Sequence, residues 1–164
     1  IIRILKKHTM KTRTILYMAI LAVVLLACKP KEYIAGHYNY DTECLGKNLD
    51  GSQLVKTWGT GMDVKEAREN AFKEALRDVM FKGIRNGSDE CKVSPMITEV
   101  NAMERHEDYF NGFFSDRGDY RDFIEEQNKK SFKNEDSNKK QAYGFIVLID
   151  MQGLKSHLQQ DQIL

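Results

Sequence analysis

The stretch from Ser52 to Arg85 limits what this chain can fold into more than any other. Residues 54 to 58 alternate, with Leu54 and Trp58 on one side of Lys56, which predicts a strand with one apolar face. Trp58-Gly59-Thr60-Gly61 then turns the chain into a helix. Asp63 stands where an N-cap belongs, and Glu66 three residues later completes a capping-box pattern. Ala67, Ala71 and Ala75 recur at a spacing of four, and Val64, Val79 and Gly83 extend the row. Residues four apart share a helix face. The row is therefore a ridge of small side chains that lets a helix lie close on a sheet. The helix is expected to end near Arg85, where Asn86-Gly87 supplies a stop.

The remaining pieces fit around this unit. Thr42 to Leu45 reads as an extended segment, and Asp50-Gly51 is a turn signal that would make a hairpin into the Ser52–Gly59 strand. Cys91 to Ile97 is a connection, and Pro95 limits any strand there to an edge. A second helix is expected from Asn101, with Glu104 at capping-box spacing, to about Ser115. Its heavy face is Met103, His106, Tyr109, Phe110, Phe113 and Phe114, an aromatic stripe read as core and not as a ligand groove. Arg117-Gly118-Asp119 is a turn, and Tyr120 to Gln127 a further short helix. Lys129 to Asp136 and Lys139 to Asp150 read as an antiparallel hairpin around Glu135-Asp136-Ser137-Asn138. The second arm, Ala142 to Ile149, is apolar on both faces and belongs inside a sheet. Gly153 to Gln160 is a closing helix. Residues 41–164, about 120 residues, fit one domain. The expected fold is α+β: a small, mainly antiparallel sheet with one long helix packed on a face and additional helices.

The N-terminal residues carry a different signal. Lys11 and Arg13 precede an unbroken apolar run, Ile15 to Ala27, which is 13 residues long. That is the layout of a secretory signal peptide, and the run is shorter than the roughly 20 residues a membrane span needs. Leu25-Leu26-Ala27-Cys28 closes it. This segment resembles the bacterial lipoprotein lipobox, with Leu26 bulkier than the usual residue at its place. The resemblance implies cleavage before Cys28, acylation of Cys28 (palmitate among the acyl chains), and a bilayer as the first partner. The alternative is an ordinary signal peptide followed by an incidental cysteine. In lipoproteins an aspartate after the acylated cysteine retains the protein at the inner membrane. Lys29 stands there instead, which implies the outer membrane, and the absence of a run of acids after the cysteine, associated with surface exposure in some bacteria, favours its periplasmic face. Residues 28–40 would be the lipidated cysteine and tether. Residues 1–27 would be removed, with Ile1 to Thr9 read as lying upstream of a start at Met10.

Removal of residues 1–27 takes away five basic residues and no acidic ones. The net charge of +1 then becomes −4, from 20 basic against 24 acidic residues. A nucleic-acid partner wants a basic face, so that class falls away. A search for chemistry finds little. Gly59-Thr60-Gly61 sits where a dinucleotide fingerprint would, but the third glycine position is Val64. The glycines are read as backbone needs of a tight turn. His106-Glu107 opens like a zinc-protease motif, and Phe110 stands where the second histidine is required. No metal or cofactor is expected. Carboxylates gather between Asn101 and Asp122, at Glu104, Glu107, Asp108, Asp116, Asp119 and Asp122, with no pair singled out.

The strand ending in Trp58-Gly59-x-Gly61, followed by Ala67-Arg68, Ala71 and Ala75, is similar to a family of small Gram-negative outer-membrane lipoproteins. That family shares its domain with the N-terminal part of the flagellar T-ring assembly protein. The similarity covers Ser52–Gly83 and Tyr143–Leu158, and the insert from Cys91 to Gln127 departs from it. The chain also looks like uncharacterised lipoproteins of gut anaerobes. The resemblance implies a non-catalytic envelope interaction or assembly module, with an envelope protein or peptidoglycan as partner. The alternative is a hydrolase of cell-wall or host glycans that uses a carboxylate pair in Asn101–Asp122.

Two cysteines remain besides Cys28. The strand runs towards the glycine turn and the helix runs back, so residues just before and just after the pair return to one end. Cys44 and Cys91 stand at those places, and an oxidising compartment would let them bridge. Two separate thiols are the alternative.

Overall fold

The computed structural model describes residues 41–127, 132–133 and 142–164, which belong to one compact unit, Asn39–Leu164. Expectations for the leader, for Cys28 and its tether, and for the turn at Glu135–Asn138 fall outside the described residues. The described elements are α+β. In chain order they are β1 (Glu43–Lys47), β2 (Gln53–Thr60), α1 (Val64–Arg77), a wide π turn (Asp78–Lys82), β3 (Asn86–Gly87) and a 3-10 turn (Asp89–Cys91). Then come α2 (Ala102–Arg105), α3 (Glu107–Phe113), a 3-10 turn (Asp119–Phe123), β4 (Ile124–Glu126), β5 (Phe132–Lys133), β6 (Ala142–Ile149) and α4 (Met151–Gln160).

The sheet runs in the order β3-β1-β2-β6-β4, with β5 also paired to β6. All its pairings are antiparallel except that of β1 with β3. The two eight-residue strands, β2 and β6, lie side by side at the centre, as the doubly apolar 142–149 run requires. β4 and β5 share the other edge of β6 end to end, Ile124 opposite Ile149 and Phe132 opposite Gly144. The β1–β2 hairpin turns at Asn48–Gly51, where Gly51 adopts φ 88° and donates to the Asn48 carbonyl at 3.0 Å.

α1 starts as read. The Glu66 N–H donates to Asp63 Oδ1 at 2.8 Å, and the Glu66 carboxylate reaches back to the Met62 N–H at 2.7 Å. Ala67, Ala71, Ala75 and Val79 are fully buried, but Val64 is 36% exposed and stands outside the ridge. The ridge rests on β2, on the face opposite to Leu54 and Trp58. Gln53, Val55, Thr57 and Gly59 face inward, and Leu54, Lys56 and Trp58 lie on the other side. Closeness decides this. A Cβ on Gly59 would sit 2.0 Å from the Ala67 carbonyl oxygen, and one on Gly61 2.5 Å from the Ala67 nitrogen. Neither glycine has positive φ, so both serve approach rather than turn conformation. Thr57 Oγ1, deep in the contact, donates to the Ala71 carbonyl at 3.1 Å. A tryptophan could not fit beneath such a helix. Trp58 instead lies over Gly144, where a Cβ would meet its ring at 3.2 Å.

The helix stop also differs. Gly83, at φ 76°, ends it, donating to the Asp78 carbonyl five residues back at 2.6 Å. Widening the turn frees the carbonyls of Val79 and Met80, which accept from Met96 and Ile97 at 3.2 and 2.8 Å. Asn86-Gly87 is instead a strand against β1. A Cβ on Gly87 would come within 2.1 Å of the Cys44 carbonyl oxygen, so glycine alone lets the strands close. The helix expected over Asn101–Ser115 is two helices. Asn101 is left-handed at φ 57° with no side-chain cap, and the chain breaks at His106. Glu99 holds that break, 3.0 Å from both the Arg105 Nε and the His106 ring. The core reading of the aromatic stripe stands for Phe110, Phe113 and Phe114, which are buried, while Met103 is exposed. Residues 120–127 form a 3-10 turn and then β4, because Ile124–Glu126 take the backbone pairs offered by β6. α4 is capped by Asp150, which accepts from the Gly153 N–H at 2.9 Å.

Candidate functional site

Two concavities lie where the π turn, β3 and the Lys92–Pro95 connection meet. One cleft, of about 440 Å³, is walled by Thr42, Asp78, Phe81, Lys82, Arg85 and Pro95, with Asp41, Gly83 and Asn86 at its margins. A second, of about 340 Å³, is bounded by Ile84, Arg85, Lys92, Val93, Ser94 and Pro95. They share Arg85 and Pro95.

The fold explains why charge is buried at the floor. Asp78 follows the helix directly and is 5% exposed. Its Oδ2 accepts from Thr42 Oγ1 at 2.6 Å, and Lys82 Nζ lies 2.8 Å from its Oδ1. Buried carboxylates persist only when donors satisfy them in this way. The Asp78 carboxylate in turn pushes the Lys82 ammonium above the usual lysine range, helped by Glu74 at 3.2 Å. Asp41 accepts from the Asn86 amide at 3.1 Å. Lys92 pairs with Asp89, and that contact holds the Asp89 carboxyl below its ordinary range. The arrangement offers cationic and hydrogen-bond donors beside an apolar wall. Sequence reasoning passed over this site. Asp78, a charge set directly before Val79 on the buried ridge, was the signal that could have found it.

The cysteines are adjacent. Cys44 on β1 and Cys91 at the end of its 3-10 turn stand at disulfide-bonding distance, with Cα atoms 5.9 Å apart and both residues 1% exposed. The segment that Cys91 fixes leads straight into the Lys92–Pro95 wall.

The carboxylates expected to offer a catalytic pair are spread over α2, α3 and the turns that follow, all exposed. None of the six lines either cleft. Asp116 meets Lys73 at 3.3 Å, and Asp119 lies 3.9 Å from His157 Nε2. His157 also approaches Asp161 at 3.3 Å and packs on Phe113 and Phe123. Nearby, Tyr120 donates to Glu69 Oε2 at 2.5 Å. Burial, then that bond, pushes its phenol up to about 12. His106 is held by Glu99, and His37 lies outside the described residues. Among the described residues no group of three His, Cys, Asp or Glu side chains has metal-binding geometry. Among them, too, no helix is long and apolar enough to cross a membrane. Comparison with protein-family models, curated proteins and solved structures gave no match.

Proposed function

We propose that this chain is a lipid-anchored bacterial envelope protein whose α+β domain works as a non-catalytic interaction or assembly module. It would be held at the periplasmic face of the outer membrane through acylated Cys28. The observation that carries the reading is Leu25-Leu26-Ala27-Cys28 behind a basic segment and a 13-residue apolar run. A thiol at that position has a chemical role in lipoproteins and none in a plain signal peptide. The similarity of the Trp58–Ala75 pattern to small outer-membrane lipoproteins supports the assembly role, with an envelope protein or peptidoglycan as partner. The glycan-hydrolase reading gains no support from the scattered carboxylates of Asn101–Asp122. Cys28→Ser is the test. Two or three acyl chains anchor a protein where one binds only marginally. The variant is expected to lose outer-membrane fractionation and to accumulate as an uncleaved or soluble species. A serine variant that still partitions with the outer membrane and resists salt extraction would refute the anchor.

A further inference from the structure

Arg85 stands where the two clefts meet and contributes to both. It is exposed, and among the described residues no carboxylate or carbonyl accepts from its guanidinium. The carboxylates around it are already engaged: Asp78 by Thr42 and Lys82, Asp41 by the Asn86 amide, and Asp89 by Lys92. The groove walls carry Lys82, Arg85 and Lys92 against Asp41 and Asp78, and Asp89 on Lys92 brings the charges level, so among the described residues Arg85 is the groove cation left without a carboxylate. A guanidinium presents its donors in a rigid fork that matches a carboxylate or phosphate at two points. Val93 and Pro95 form an apolar wall beside it. Each cleft falls within the roughly 300–1,000 Å³ that small-molecule sites occupy.

We infer that this groove binds a small ligand ending in one oxyanion, a carboxylate or a phosphate. Arg85 grips the oxyanion, and Val93 and Pro95 receive the apolar part. The inference rests on the envelope reading only for where the ligand comes from, not for the binding itself.

The test is an NMR titration of the full chain in detergent, watching the Arg85 Nε–H and the backbone amides of residues 82–94. Inorganic phosphate and a dipeptide ending in a free carboxylate are added separately, and the C-terminal amide of the same dipeptide is the control. Saturable shifts confined to the groove are expected with at least one oxyanion and absent with the amide. The oxyanion that saturates identifies the ligand's source. Losing a charge-assisted bond makes Arg85→Gln weaken binding by about tenfold or more. Arg85→Lys, which keeps the charge and loses the fork, falls in between. Lys155→Gln, on α4, changes nothing. Equal affinity in Arg85→Gln and the parent chain overturns the inference, as does the absence of saturable shifts with both oxyanions. If the titration succeeds while Cys28→Ser still fractionates with the outer membrane, the envelope reading falls and the groove stands.

Discussion

The contact of α1 with β2 and the packing around α3 both bury apolar surface beside the sheet, by opposite means. The first uses almost no side chain: Ala67, Ala71 and Gly59 let two backbones touch, with Thr57 bonded into the seam. The second uses bulk. Phe110 meets Phe81 edge-on at 5.2 Å and Tyr109 at 5.1 Å, while Phe113 stacks on Phe123 at 6.1 Å. A contact made of backbones has one geometry, since any added atom collides with something that cannot rotate away. A contact made of rings has several, since rings can re-aim. The first tolerates no growth, and the second tolerates a change of shape but not the loss of a whole ring.

The largest effect that would break this contrast is expected on the aromatic side. Phe110→Ala should cost about 4 kcal/mol, whereas Phe110→Leu should cost under about 1.5 kcal/mol because neighbouring rings re-aim. Urea unfolding measures both, and similar costs for the two would show the cluster to be as rigid as the ridge. Next is the tie between the regions. A bridge between Cys44 and Cys91 spans 47 residues and would contribute up to about 4 kcal/mol on the chain-entropy model. Thiol labelling of the unfolded, unreduced protein should find neither cysteine reactive, and two reactive thiols would dissolve the tie.

On the ridge, growth is the probe. Ala71→Leu should lower stability by about 2 kcal/mol, and Gly59→Ala by at least as much. An unchanged melting midpoint for either would mean that the two backbones can part. The smallest effect is alkaline. The Tyr120 phenol is raised to about 12 in the folded chain against about 10 unfolded. Its contribution is thus complete below pH 10 and lost as pH rises through 12. Tyr120→Phe should flatten the stability curve across that window. A curve of unchanged slope would show that neither burial nor the Glu69 bond raises the Tyr120 phenol in the folded chain.

What the sequence disclosed follows the same division. Asp63, Glu66 and the alanine spacing announced α1, because capping and periodicity are local and have few alternatives. The place of 142–149 at the centre was equally plain, since a strand apolar on both faces needs neighbours on both. Which face of β2 met the helix was not plain. Leu54 and Trp58 mark an apolar face, but the close backbone contact at Gly59 puts α1 on the other one. The end of α1 was missed because Gly83 and Asn86-Gly87 both spell a stop, and only the acceptors needed by Met96 and Ile97 choose between them. The break at His106 depends on Glu99, and a helical periodicity cannot register a side chain that arrives from outside it. The groove rests on Thr42 meeting Asp78 across 36 residues, a distance at which local pattern says nothing.

Among the described residues the sheet keeps its long strands inside, and its outermost strands are short: β3 of two residues and β4 of three. An uninterrupted outer strand is a template that a neighbouring molecule can extend, and short, broken edges deny it that row of free amides and carbonyls. Wherever many copies of this domain meet at close range, its colloidal stability would come from these short outer strands as much as from its charge.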